Sequence, residues 1–228
     1  MISWYRPIMA TTRTYEDSCG VAHALELVGE RWALLVVREL MLGAKRFGDI
    51  KDGLPGISAN VLSHRLDELE RAGLVTRRKL PKPAAVWVYD LTPWARDLEP
   101  IMQTLGRWAA RDPQHRKDLH FGTTSLILSL RTNFDPSLAD GVHHVIALRP
   151  NDESYVARVA RKKLLIEGGE PAEADATIAG GSRAFASVTY GGRPLADAIG
   201  TGDLVVTGDL ASAESFLHLY TLPPTASA

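Results

Sequence analysis

The chain has 228 residues and a single cysteine, Cys19. That excludes an internal disulfide framework and any zinc site built on paired cysteines. Apolar residues make up 45% of the chain, yet no run approaches the roughly 20 consecutive ones that a membrane-spanning helix needs. The first twenty residues, MISWYRPIMATTRTYEDSCG, lack a compact apolar stretch followed by a small-residue cleavage site. A cytoplasmic chain with no membrane partner is therefore expected. Net charge is nearly absent, −1 at pH 7, which neither indicates nor excludes a nucleic-acid partner. The GxSxG, HExxH, phosphate-loop and catalytic-triad patterns are missing too. The expectation is a protein that is not an enzyme and needs no cofactor. His143 and His144 are adjacent, so in a strand they point to opposite faces and cannot jointly hold a metal ion. No metal site is expected.

The small net charge hides an asymmetry. Residues 1–118 carry 18 Lys and Arg against 15 Asp and Glu, and the remainder carry 8 against 12. Two composition regimes meet in the polar stretch DPQHRKDLH, residues 112–120, which reads as a linker. Before it the chain is patterned mainly for helices. After it come short segments punctuated by glycine, with alternating or continuous apolar residues.

In the first half, apolar spacing predicts helices over about 20–28 and 30–42, broken at Gly29, and a short one over 46–52 closed by Gly53. The stretch GISANVLSHRLDELERAGLV, residues 56–75, predicts the next helix, with Ser58 as N-cap and Gly73 as terminator. Leu62, Leu66 and Leu69 form its inward stripe. Asn60 and His64, with Val61 and Arg65 at the margin, lie off that stripe near the helix start. Such residues suit the major groove: Asn bonds adenine and Arg bonds guanine in bidentate fashion, and Val meets a thymine methyl. Ser58 and the helix N-terminal amides suit a phosphate. A polar helix face taken alone is equally compatible with a plain solvated surface.

Two strands over 74–80 and 85–91 follow, with a Pro-rich tip at Lys79–Pro83. Arg77, Arg78, Lys79 and Lys82 crowd this hairpin with no acidic residue among them, which suits a phosphate backbone. The bland alternative is an ordinary wet hairpin. Thr92 and Pro93 then open a helix over about 93–111 with an apolar face of Trp94, Leu98, Ile101, Met102, Leu105 and Trp108. Short helix, turn, second helix and basic hairpin, in that order, give a helix-turn-helix followed by a wing.

The blocks CGVAHALELVGERWALLVVREL, RFGDIKDGLPGISANVLSHRLDELERAGLV and VYDLTPWARDLEP resemble the HxlR family of bacterial winged-helix transcription regulators. The resemblance covers about residues 19–110. It implies a homodimer on double-stranded DNA carrying an inverted-repeat operator, with the N-terminal helices and the helix after the wing forming the interface. Some members of that family use a cysteine near Cys19 as an oxidation sensor. Cys19 directly precedes the first helix, where backbone amides lower a thiol pKa, so it stands as a redox candidate beside the plainer reading of a packing residue.

The second half predicts a helix over 123–132 and strands over 142–149, 153–160, 161–167 and 174–180. Helices over 182–190 and 193–200, a strand over 203–207 and a helix over 211–220 follow. The pieces ADATI, GGRPLADAIGTGDLVVTGD and SFLHLYTLP resemble a sterol-carrier-protein-type-two-like domain over about residues 120–224. That resemblance implies an apolar cavity for a hydrophobic small molecule, with Val145, Ala147, Phe185, Leu195, Phe216, Leu217 and Tyr220 as candidate walls. Each could equally be plain core. The chain is thus expected to be multi-domain. A winged helix-turn-helix, mostly α with a β-hairpin wing, would occupy residues 1–118, and an α+β domain with one open sheet covered by helices residues 119–228. The function expected is a ligand-modulated transcription regulator. The alternative is a lipid or hydrophobic-ligand carrier whose winged helix serves mainly for dimerisation.

Overall fold

The structure is a computed structural model and describes residues 14–116 and 118–226. The chain divides into two compact units, Met1–Glu99 and Pro100–Ala228.

The first unit runs α1 (Gly20–Val28), α2 (Ala33–Leu40), α3 (Phe47–Asp52), α4 (Ala59–Arg71), β1 (Val75–Lys79), β2 (Trp87–Leu91) and α5 (Pro93–Arg96). Its core is Val36, Val37 and Leu40 of α2, Ile50 of α3, Leu62, Leu66 and Leu69 of α4, and Leu74, Val75, Val88 and Leu91 around the hairpin, all buried. The inward stripe of α4 therefore falls where its 3.6-residue period puts it. Ser58 caps that helix by accepting from the Val61 amide at 3.3 Å. Gly73, at φ +74°, ends it, and the Leu74 amide returns to the Leu69 carbonyl at 2.9 Å. Only glycine adopts that left-handed turn without strain.

The apolar stripe of α1 departs from a core role. Val21 is 68% and Leu25 46% exposed, and Leu35 of α2 is also exposed. With Val28, Trp32 and Leu34 these residues line an open groove of about 410 Å³. The expected helix over 30–42 starts late, at Ala33, because Trp32 sits in the left-handed region at φ +79°.

The expected long helix over 93–111 is two helices, α5 and then α6 (Leu98–Ala109), broken at Asp97. Pro100 supplies the reason. In a continuous helix its ring would clash with the carbonyl four residues back, that of Arg96, whereas the break places it in the first turn of α6, where proline is tolerated. No residue of α6 is buried. Ile101, Leu105 and Trp108 are 61%, 46% and 69% exposed.

The second unit continues with α7 (Thr123–Asn133), β3 (His144–Pro150), β4 (Tyr155–Ala160), β5 (Lys163–Gly168), β6 (Ala176–Gly180), α8 (Ser182–Thr189), α9 (Leu195–Gly200), β7 (Leu204–Gly208) and α10 (Leu210–Leu217). Its five-stranded sheet has the order β5-β4-β3-β6-β7. All neighbours are antiparallel except β3 and β6, whose parallel pairing needs the long crossover that β4 and β5 occupy. Ile146, Leu148, Ala157, Ile166 and Ile178 share one face through this register and are fully buried. His144, on that same face, meets Ser215 of α10 at 3.0 Å. The other face exposes Arg149, Arg158, Leu165 and Val205.

The expected boundary at residue 118 lies well past the observed division between residues 99 and 100. The reason is a set of bonds that holds α6 within the second unit. Arg107 donates to the Asn133 side-chain oxygen at 3.0 Å and to the Thr132 carbonyl at 3.3 Å. Arg111 donates to the Pro224 carbonyl, and its own carbonyl accepts from the Ala226 amide at 2.8 Å.

Candidate nucleic-acid interface

Alpha helix 4 anchors one face in the core through Leu62, Leu66 and Leu69 and presents Asn60 and His64 to solvent from its first two turns. Val61 is 39% exposed at the side of this face. Ser63, three residues after Asn60, is exposed on the same face and was not singled out from the sequence. The i, i+3 spacing from Asn60 is the signal that finds it. Ser58 has its side-chain oxygen engaged as the cap, which leaves the hydroxyl hydrogen to donate to an incoming acceptor.

Arg65 does not belong to that face. Its side chain is only 11% exposed, its Nη1 is bonded to Glu68, and its Nη2 lies 3.8 Å from Glu30. A guanidinium held by two carboxylates is a structural tie between α4 and the turn before α2. It is not free to read a base. Glu68 also approaches His64 Nδ1 at 3.4 Å, which restrains the imidazole while leaving 65% of it exposed.

Beta strands 1 and 2 form the expected hairpin in a register that pairs Arg77 with Tyr89 and Lys79 with Trp87. The hairpin is tied to the body of the unit by Lys45, which exchanges both backbone hydrogen bonds with Tyr89 at 3.0 and 2.8 Å. The Lys45 ammonium meets the buried Glu39 carboxylate at 2.9 Å, and Arg38 binds the other oxygen at 2.7 Å. A buried carboxylate satisfied by two cations fixes the root of the wing.

The four wing cations differ in state. Arg78 is paired with Asp90 at 3.1 Å, and Asp90 also holds Arg96 at 2.6 Å. Arg77 instead lies over two rings, 4.8 Å from the centroid of Trp87 and 5.8 Å from that of Tyr89. Lys79 and Lys82 are exposed at the tip. The four charges are legible in the sequence, but their sorting is not, because it depends on cross-strand neighbours.

Cys19 is exposed at the N-cap of α1, and the Val21 and Ala22 amides hold its thiol below the ordinary value. Among the described residues, no group of three His, Cys, Asp or Glu is placed to hold a metal ion. No helix among them is long and apolar enough to cross a membrane.

In the second unit, Phe185, Leu195, Phe216, Leu217 and Tyr220 are buried. Tyr220 meets Phe216 edge-on, with ring centroids 5.6 Å apart, and Phe134 and Tyr190 at 6.2 and 6.4 Å. Val145, half-buried, and Ala147, buried, lie on the other side of the sheet. Strand parity puts both on the sheet face opposite Ile146 and Leu148, away from the fully buried row. They cannot wall a cavity between the sheet and its helices.

Next to the aromatic group runs a polar chain. The Ser129 hydroxyl donates to the Tyr190 oxygen at 2.9 Å, the Asn133 amide donates to Ser129, and Arg107 donates to Asn133. Burial pushes the Tyr190 hydroxyl up to about 12 and holds that of Tyr220 well above its ordinary value. Both therefore stay protonated at any physiological pH. The Tyr220 hydroxyl is buried without a hydrogen-bond partner among the described residues.

The HxlR-like helix-turn-helix family matches residues 27–117. A regulator of Bacillus subtilis strain 168, the uncharacterized HTH-type transcriptional regulator YvaP, is 38% identical over 86 residues, which are 38% of this chain and 80% of that protein. The HTH-type transcriptional regulator YodB of the same organism is 38% identical over 86 residues, 38% of this chain and 77% of that protein. The solved reduced form of YodB covers 42% of this chain and 95% of its own at 35% identity and a TM-score of 0.39. The relatives match the segment that carries the helix-turn-helix and its wing, at an identity and over a share of their own length that identify the family: this chain belongs to the HxlR-like helix-turn-helix family.

Proposed function

We propose that the chain is a homodimeric bacterial transcription regulator that binds double-stranded operator DNA with α4 and the β1–β2 wing, and that its second unit takes a hydrophobic small molecule as effector. The observation that carries the DNA-binding part is the pairing of two surfaces in one rigid unit. Alpha helix 4 turns short polar side chains outward at its start, and the wing beside it in sequence presents Arg77, Lys79 and Lys82 to solvent. A reading helix supplies sequence discrimination and a cationic wing supplies phosphate affinity. The likeness to YvaP and YodB, both HTH-type transcriptional regulators, supports the same reading. Exposed apolar faces on α1 and α6 support a dimer. Acylation, hydrolysis and redox turnover have no part in it, and a cytoplasmic protein suits it.

Asn60→Ala tests the reading helix. Asn60 is exposed and makes no contribution to the core, so stability should be unchanged. The ratio of specific to non-specific affinity, measured at fixed salt on a duplex selected from a random pool, should fall by about 1–3 kcal/mol, the worth of one base-edge contact. A ratio equal to wild type for Asn60→Ala, Ser63→Ala and His64→Ala alike overturns the assignment.

The effector part rests on the aromatic group around Tyr220, where a buried hydroxyl without a partner sits among Phe134, Phe216 and Tyr190. Burying such a hydroxyl unpaired costs about 1–3 kcal/mol, so a ligand that offers it an acceptor would relieve the cost. Native mass spectrometry of the chain purified from its own host should show a bound small hydrophobic molecule that Tyr220→Phe binds less well. Ligand-free protein throughout, or equal occupancy in the variant, removes this part.

A further inference from the structure

The wing contains a charge that is oriented without being neutralised. Arg78 has Asp90 as counter-ion, while Lys79 and Lys82 sit on flexible stems at the tip. Arg77 alone lies over two aromatic rings. Among the described residues no carboxylate is within ion-pair distance of it. The register explains the arrangement: Arg77 stands directly opposite Tyr89 and diagonally across from Trp87, which is opposite Lys79, so all four side chains share one face of the hairpin. A guanidinium against a ring keeps its in-plane N–H donors available and loses part of its rotamer freedom before any ligand arrives.

Trp87 is the unusual member of this set. It is 51% exposed, at the tip end of a five-residue strand, and strand parity puts it on the hairpin face opposite the buried Val88. An indole left in water on a wing has a use if its ring face holds the cation.

We propose that Trp87, with Tyr89, is a positioning residue that presents Arg77 to the minor groove, and that Arg77 so held gives the wing a preference for narrow, amino-free minor grooves. This rests on the DNA-binding reading above. The physical case is a difference between Arg77 and the lysines. A point charge on a mobile stem follows the phosphates and is indifferent to sequence. A planar cation fixed in orientation enters the groove where it is narrow and its potential most negative, and is kept out where the guanine amino group projects. The wing would then contribute sequence preference as well as affinity.

Three duplex polymers separate these outcomes without knowledge of the operator: poly(dA)·poly(dT), poly(dI)·poly(dC) and poly(dG)·poly(dC). Inosine lacks the minor-groove amino group of guanine while keeping its major-groove acceptors. Wild type should bind the first two more tightly than the third by about fivefold or more, the scale of a single groove contact. Trp87→Ala and Arg77→Lys should each bring the three affinities together. Trp87→Ala keeps every charge and removes no group that touches DNA, so its affinity for poly(dG)·poly(dC) and its salt slope should stay at the wild-type values. Trp87→Phe restores a ring and should restore the preference.

A wild type that binds all three polymers equally, or that sets poly(dI)·poly(dC) with poly(dG)·poly(dC), overturns the inference and leaves the regulator reading standing. A preference undiminished in Trp87→Ala and in Arg77→Lys also overturns it. No salt-dependent binding to any polymer overturns the inference together with the reading beneath it. Arg77→Lys reports on the same geometry without touching the hairpin's packing, so a poorly folded Trp87→Ala would not leave the question open.

Discussion

Leu105→Asp and Trp108→Asp are each expected to turn the proposed homodimer into monomers. Alpha helix 6 carries Ile101, Leu105 and Trp108 along one face, all largely exposed in the single chain, and buries nothing. An amphipathic helix with its apolar face in water has given up the burial that stabilises such helices, about 25 cal/mol for each Å² of apolar surface. In the proposed homodimer a second copy of the chain would restore it. In a two-fold interface each substitution occurs twice, and a carboxylate left unpaired in an apolar contact costs about 3–5 kcal/mol. The dimer Kd should therefore weaken by more than about two decades. Sedimentation velocity reads this directly. Circular dichroism should be unchanged, because both side chains are exposed within the chain and Arg107 and Arg111 hold α6 through other atoms. An intact dimer in both variants would place the interface elsewhere.

Replacing Arg77, Arg78 and Lys79 together by Ala should produce the largest change in DNA affinity, and one whose size depends on salt. Each cation placed at a phosphate contributes about 0.9 to the slope of log K against log salt. Three free cations would flatten the slope by nearly 3. The structure lowers that expectation to about 2, because Arg78 is already held by Asp90 and has counter-charge before DNA arrives. The gap between variant and wild type should thus narrow by nearly two decades for each tenfold rise in salt. Removing Arg78 also frees Asp90, but Arg96 remains as its partner at 2.6 Å, so the hairpin should keep its fold. Fluorescence anisotropy across a salt series measures both quantities. Equal affinity at low salt would remove the wing from the interface. A slope change near 3 would show that the Arg78–Asp90 pair opens on binding.

The sequence by itself determined the order of the helices and hairpin of the first unit up to the end of the wing, and the inward stripe of α4. Ser58 and Gly73 bracket that helix with interactions that reach no further than five residues, and the Leu62, Leu66 and Leu69 spacing fixes its buried side. Hairpin strands with a Pro-rich tip are equally local. Signals of this kind act between neighbours in the chain, so they are written in it.

Tertiary structure decided what each side chain has for a partner. Arg65 and Asn60 look alike as polar residues near a helix start, and only the placement of Glu30, 35 positions away from Arg65 in the chain, takes Arg65 out of the reading face. Arg77 and Arg78 are adjacent, yet one faces rings and the other faces Asp90, because strand parity sends them to opposite sides of the hairpin. Val145 and Ala147 sit within the apolar run Val145–Leu148, where both faces of the strand are apolar and alternation carries no information. The helices that cover Ile146 and Leu148 made the choice. The division in the first turn of α6, between residues 99 and 100 and ahead of 118, follows from Arg107 and Arg111 reaching residues 132–133 and 224–226, contacts between positions far apart in the chain that no periodicity records.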